Sequence, residues 1–229
     1  MPSKKPRRLG RPPSSSSVET RARIIDVARE AFAESGYGVT TNKMLATKAG
    51  ITTGALYHYF DSKVDIYKAV YDEVQDFVFE RFATDLAGAT TLIERFEAML
   101  ESAHQLNRED PSVARFLGAA RIDFGRHDEL RALIGSRNNR GQTFFSQMID
   151  AGIAAGEMEA DNRDMGVLFM QIVTVGLTDA VSADPRRHRM AVDSIRSMVE
   201  GRLFAPPSPA AAKPKPKPKS KKVAAATKR

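Results

Sequence analysis

Apolar residues recur along this chain at steps of three and four, the spacing that lines one face of a 3.6-residue helix. No segment shows the two-residue alternation of a half-buried strand. The pattern predicts an all-α protein. A first helix is expected over about 20–35, where Ile24, Val27, Ala28, Ala31 and Phe32 share a face. Ser16 and Glu19 stand at capping-box spacing before it, and Gly36 supplies its stop. A short second helix follows at about 41–48, capped by Thr40 or Thr41, with Leu45, Ala46 and Ala49 turned inward. Gly50 breaks it, and Thr52 caps a third helix from Thr53 to Tyr59. Ser62 and Asp65 repeat the capping-box spacing and open a long fourth helix. Its stripe is Val64, Tyr67, Val70, Tyr71, Val74, Phe77 and Val78.

Five further helices are expected. One starts at Thr91, where Glu94 completes a capping box, and runs to about Arg108. Asp110-Pro111 reads as a cap followed by proline at the first helical position, opening a helix to about Phe124. The next covers about 128–155 and is interrupted by polar sequence around Ser136 to Gly141. Another spans about 163–182. Asp184-Pro185 repeats the cap-then-proline device and begins the last helix, which ends near Phe204.

The second and third helices meet the physical requirements of a helix-turn-helix. Ala46 is small where the two helices cross, Gly50 tolerates the turn, and Ile51 plugs the junction. Thr52 caps a helix whose first amides can face a phosphate. Leu56 and Phe60, four apart, anchor that helix and leave Thr53, Gly54, Ala55 and His58 outward. From Ser35 to Phe60 the chain carries Lys43 and Lys48 and no acid, as a surface for DNA would.

Residues Ala31 to Ala69 resemble the TetR family of bacterial repressors. The resemblance rests on Gly36-Tyr37, Thr40-Thr41, Leu45-Ala46, Ala49-Gly50-Ile51, the run from Thr52 to Phe60 (TTGALYHYF) and Ser62-Lys63. It implies a homodimer with one helix-turn-helix per subunit and a larger helical body that binds a ligand, with the third helix in the major groove. It also implies that Thr53, Gly54 and Ala55 approach base edges while Tyr57, Tyr59 and Lys63 hold phosphates, as do Thr41 and Lys43. Asn42 stands where the family usually has an apolar residue and Met44 where it usually has a polar one. The expected DNA-binding set is Thr41, Asn42, Lys43, Thr52, Thr53, Gly54, Ala55, Tyr57, His58, Tyr59 and Lys63.

Charge sharpens this picture. The formal net charge is +7, but the first 18 residues carry +5 and the residues beyond Phe204 carry +8, both without an acid. The body between them is therefore at −6, and the tails are what a polyanion attracts. Residues 1–17 hold almost nothing to bury, and the KPKPKPK run from Lys213 to Lys219 bars a helix, so both tails are expected to be disordered. Cysteine is absent, which excludes disulfides and thiolate chemistry and fits a cytoplasmic protein. No apolar run has the roughly 18–20 residues of a membrane span. His104, His127 and His188 lack helical i, i+3 or i, i+4 partners, so no metal is expected, and no cofactor. No Gly-rich phosphate loop and no Ser, His and acid set supports an enzyme.

The expected organisation is a basic arm (1–18), a helix-turn-helix domain (19–65), a helical ligand-binding and dimerisation domain (66–204) and a Lys/Pro/Ala-rich tail (205–229). Aromatic and Met residues at helical spacing in the body mark an apolar ligand pocket: Phe96, Met99, Leu100, Ala103, Phe116, Ala120, Phe124, Phe145, Met148, Phe169 and Val173. The helix at 163–182 (Val167, Leu168, Gln171, Ile172, Val175, Gly176) and the last helix (Met190, Ile195, Met198, Val199) are expected to form the dimer interface. The function read from this set is a ligand-responsive repressor on a palindromic operator. A competing reading is a nucleoid-associated architectural protein that binds DNA through its tails.

Overall fold

The computed structural model describes residues 13–135, 140–180 and 184–204, and among them there is no strand. Ten helices follow in order: α1 (Pro13–Val39), α2 (Asn42–Lys48), α3 (Thr53–Leu56), α4 (Lys63–Asp85), α5 (Leu92–Glu109), α6 (Pro111–Arg126), α7 (Asp128–Gly135), α8 (Arg140–Ala154), α9 (Arg163–Ala180) and α10 (Pro185–Val199), with a 3-10 turn Ala160–Asn162 before α9. The described residues up to Asp193 belong to one compact unit, and Ser194 to Phe204 to a second. None of these helices is long and apolar enough to cross a membrane.

Local chemistry sets the helix ends. At α5, Thr91 and Glu94 make the reciprocal capping box. At α6, Asp110 accepts from the Ser112 amide at 3.0 Å, and Pro111 takes the first turn, where a missing N–H costs nothing. Asp184 does the same for α10, accepting from the Arg186 amide at 2.9 Å. At α4, Ser62 accepts from the Asp65 amide at 3.2 Å and donates to the Asp65 carboxylate at 2.7 Å. One methylene shorter than glutamate, Asp65 takes the Ser62 hydroxyl rather than its backbone amide.

Five expectations change. The first helix starts at Pro13, so Ser16 lies inside it and is not its cap. The third helix stops at Leu56 because the next amides, of His58 and Tyr59, bond three residues back and tighten the chain into a turn. The segment 128–155 is two helices, α7 and α8, with residues 136–139 outside the described set. The last helix ends at Val199, and Gly201 follows at φ 68°. Phe77, expected inward on α4, is 44% exposed. Residues 1–12 and 205–229, which hold most of the basic arm and all of the tail, lie outside the described residues.

The core joins α1, α4 and α6 around Tyr67, which is fully buried. Its ring lies 4.8 Å from Phe32, 5.4 Å from Tyr37, 5.5 Å from Phe116 and 6.0 Å from Phe124. Aromatic pairs at such separations add stability beyond the area they bury. A second cluster, Phe79, Phe82, Phe144 and Phe145, joins α4 to α8. The helix-turn-helix therefore hangs from α1 and α4, both of which continue into the body's core.

Candidate nucleic-acid interface

The helix-turn-helix is built as its residues require. Thr41 caps α2, accepting from the Met44 amide at 3.2 Å, and Thr52 caps α3, accepting from the Ala55 amide at 3.1 Å. Thr40, the other expected cap, is fully buried instead. Its hydroxyl lies 2.8 Å from the Gly36 carbonyl and closes the end of α1. Gly50 sits at φ 68° with open space where a Cβ would go, so the turn needs glycine for its backbone angle alone. Leu45, Ala46, Leu56 and Phe60 are buried and fix the two helices to the core. Arg23 donates to the Ala49 carbonyl at 2.9 Å and closes the end of α2.

The outward surface holds Thr41, Lys43, Thr52, Gly54, Tyr57 and His58, all exposed, with Asn42, Thr53, Ala55 and Tyr59 half-buried. Tyr57 is 51% exposed, and its hydroxyl accepts from Asn42 Nδ2 at 3.0 Å. Asn42, unusual at this position, thus ties the start of α2 to the end of α3, although its Oδ1 is buried without a partner. A Cβ at Gly54 would meet only Thr52 Oγ1, at 3.9 Å.

Lys63 departs from its expected place among the outward groups. Its ammonium donates to the carbonyls of Tyr37 at 2.7 Å and Thr40 at 2.9 Å, and it lies 3.9 Å from the centroid of the Tyr37 ring. Burial pulls its pKa below the ordinary lysine range, with Glu129 and Asp123 opposing that shift. The side chain caps orphan carbonyls at the end of α1 and packs on an aromatic face, so its charge is turned inward.

Asp123 on α6 is a site the sequence reading missed. It is buried, and its Oδ2 accepts from the Tyr37 amide at 2.9 Å and from the Tyr67 hydroxyl at 3.1 Å. The available signal was an acid three residues beyond Ala120 and seven beyond Phe116, on an apolar stripe. A second missed pair is His104 on α5 and His188 on α10, both buried, with their Nδ1 atoms 3.2 Å apart. Burial lowers both pKa values, that of His188 to about 4, where the neighbouring His104 and Arg189 add to the effect. Among the described residues no group of three or more His, Cys, Asp or Glu is arranged to hold a metal.

Of the side chains expected at a ligand pocket, Phe96, Met99, Leu100, Phe116, Ala120, Phe145, Met148 and Val173 are buried, and Ala103 and Phe124 are half-buried. Phe169 is 43% exposed on the outer side of α9, with its ring 5.6 Å from Phe96. Two open grooves lie elsewhere. One of about 520 Å³ runs beside Arg21, Tyr59, Lys68 and Asp72, and one of about 590 Å³ beside Ala114, Gly118, Ile122 and Asp179.

Residues 24–70 match the family model for bacterial regulatory proteins of the tetR family. The chain is 27% identical over 188 residues to the HTH-type transcriptional regulator UidR of Escherichia coli K12, covering 81% of this chain and 94% of UidR. It is 34% identical over 96 residues to the HTH-type transcriptional regulator TtgW of Pseudomonas putida, covering 42% of this chain and 72% of TtgW. Its fold is similar to that of AibR in complex with isovaleryl coenzyme A and operator DNA. There the TM-score is 0.64 at 17% identity, over 78% of this chain and 97% of AibR.

Proposed function

Because the chain belongs to the TetR family of bacterial regulatory proteins, and is thus a transcriptional regulator and not an enzyme, we propose that it is a homodimeric repressor that leaves a palindromic operator when a small apolar ligand binds its body. One observation carries the DNA-binding part. The outward face of α2, α3 and the following turn presents Thr41, Lys43, Thr53, Gly54, Tyr57 and His58 with no carboxylate between Ser35 and Phe60. Thr53, Gly54 and Ala55 approach base edges, where a hydroxyl gives one hydrogen bond and a methyl meets a thymine methyl. Nothing inside the protein crowds Gly54, so its bareness serves close approach from outside. Tyr57, Tyr59, Thr41 and Lys43 hold phosphates. Lys63 acts from within, by holding the end of α1.

Pairing is supported by α9, whose exposed Met165, Leu168, Phe169, Ile172 and Val175 recur at helical spacing. In the proposal two copies meet across the last two helices. The ligand enters the body among Met99, Leu100, Phe116, Ala120, Phe145 and Met148. AibR, a protein of the same fold, holds an acyl thioester. Moving the dimer from nearly full to nearly empty occupancy takes about 5 kcal/mol of differential affinity. Such a protein works in the cytoplasm, beside its DNA.

Selecting fragments from random duplex DNA with the full chain tests the reading. One enriched inverted repeat, with half-sites about one helical turn apart, is expected. Replacing Tyr57, Tyr59 and Lys43 by Phe, Phe and Ala is expected to lower operator affinity at least tenfold. An unchanged affinity in a folded dimer overturns it, as does a selection with no enriched repeat.

A further inference from the structure

The helix-turn-helix and the body meet at one residue, Tyr37, and the body holds that residue from several sides. Tyr37 directly follows Gly36, where the chain turns at φ 75° and leaves the long run of α1 for α2. Its amide donates to Asp123 on α6 at 2.9 Å. Its ring lies edge-on to His127 at 5.0 Å, and its hydroxyl is hydrogen-bonded to Glu129 on α7. Its carbonyl accepts from Lys63 at the start of α4. Gly36 itself faces Asp123, since a Cβ there would sit 3.3 Å from Oδ1, and a Cβ on Gly38 would sit 3.4 Å from His127 Nε2.

Asp123 carries most of this arrangement because its one carboxylate oxygen joins three elements. It takes the Tyr37 amide from the α1–α2 junction and the Tyr67 hydroxyl from α4, 3.1 Å away, while its own backbone belongs to α6. A buried carboxylate is costly unless hydrogen bonds hold it, and losing either donor leaves charge and dipole uncompensated. Packed interfaces of this kind keep one of a few discrete poses rather than sliding continuously. The corner between α6 and α7 is therefore the firmest lever the body has on the angle of the helix-turn-helix.

We propose that Asp123 is a positioning residue for operator recognition, fixing the pose of the helix-turn-helix through the Tyr37 amide and the Tyr67 hydroxyl. It touches no DNA. The inference rests on the regulator reading above only for its DNA readout. Its conformational readout stands without it. A shift of α6 that loosens this oxygen frees the junction at Gly36, so a ligand acting on the body has a defined place to act on the head.

The chain has no cysteine, so Thr47→Cys on exposed α2 and Ala155→Cys at the end of α8 take spin labels uniquely. Labelled full-length chain diluted into unlabelled chain reports the head-to-body distance by double electron-electron resonance. Anisotropy measures affinity for the selected operator and for random duplex. Asp123→Ala is expected to broaden the distance distribution and lower the operator-to-random ratio at least tenfold, leaving random-duplex affinity unchanged. Asp123→Asn, which keeps an acceptor oxygen, is expected to restore most of both. Tyr67→Phe removes one bond and keeps the ring, and its effect should fall between the two. It also serves if Asp123→Ala does not fold. A lower melting temperature with an unchanged distribution and ratio in Asp123→Ala, or in Tyr67→Phe where that stands in, overturns the proposal. If the wild-type chain prefers no operator, the regulator reading fails while the distance measurement still decides the role of Asp123.

Discussion

The helix-turn-helix caps itself, whereas the body behind it depends on partners far along the chain. Thr41 serves Met44, Thr52 serves Ala55 and Ser62 serves Asp65, each across three residues. In the body, His104 meets His188 across 84 residues and Arg189 makes a two-pronged ion pair with Glu101 across 88. The two regions also leave different things unfinished. The head leaves a small polar surface bare, with Asn42 Oδ1 as its one buried orphan among the described residues. The body leaves both amide atoms of buried Asn107 without partners and an apolar row open on α9. Local capping makes a rigid reading surface early and cheaply, while long-range closure leaves a body that can still be changed by what it meets.

The contrast breaks hardest at α9. Placing charge on the row with Leu168→Glu and Ile172→Glu, at positions 54% and 60% exposed, should leave a folded monomer. Its operator affinity should fall on the order of a thousandfold, toward that of nonspecific binding. Sedimentation and anisotropy check this, and a dimer of undiminished affinity would move the interface elsewhere.

The next effect comes from acid. His188 has its pKa drawn from the ordinary 6.5 to about 4 by burial, by His104 and by Arg189. The unfolded chain therefore binds more protons between these values, and stability falls as pH drops from about 6.5 toward 4. The loss should be on the order of 2 kcal/mol and should shrink in His188→Leu, read from urea unfolding at pH 7.5 and 4.5. Equal losses in both proteins would remove the histidine pair as the cause.

Asn107→Leu sharpens the comparison from the other side. An unpartnered buried amide costs about 1–3 kcal/mol, and a leucine of similar shape relieves it. Unfolding stability should rise by about 1 kcal/mol, with DNA affinity unchanged. A loss instead would mean that the amide has a partner in solution. The smallest effect is expected at the head, where Thr52→Ala removes one cap bond. It should cost about 1 kcal/mol or less, visible as faster amide exchange at Ala55.

This division also explains what the sequence disclosed. Caps and turns at Thr52, Gly50, Thr91 with Glu94, and Asp110-Pro111 were readable because both partners lie within four residues. The family resemblance came from the same segment. Lys63 was misplaced because its charge suggested phosphate, while the two carbonyls it serves lie 26 and 23 residues earlier. Asp123 could be seen only as an acid on an apolar stripe, because its donors are 86 and 56 residues away. Phe77 and Phe169 obey helical periodicity, yet stand at the surface. Periodicity finds a helix's apolar positions without saying whether another helix of the same chain covers them.

The bond from Asn42 to the Tyr57 hydroxyl has a kinetic side. A phenol oxygen that already accepts one hydrogen bond has its proton left to give, and here that proton has only the outside to give it to. The ring is aimed before any duplex arrives. The roughly 0.5–1.5 kcal/mol that freezing such a side chain takes at encounter is met during folding instead. Capture of a phosphate at this corner then depends on diffusion and orientation, with little waiting for a rotamer to come round.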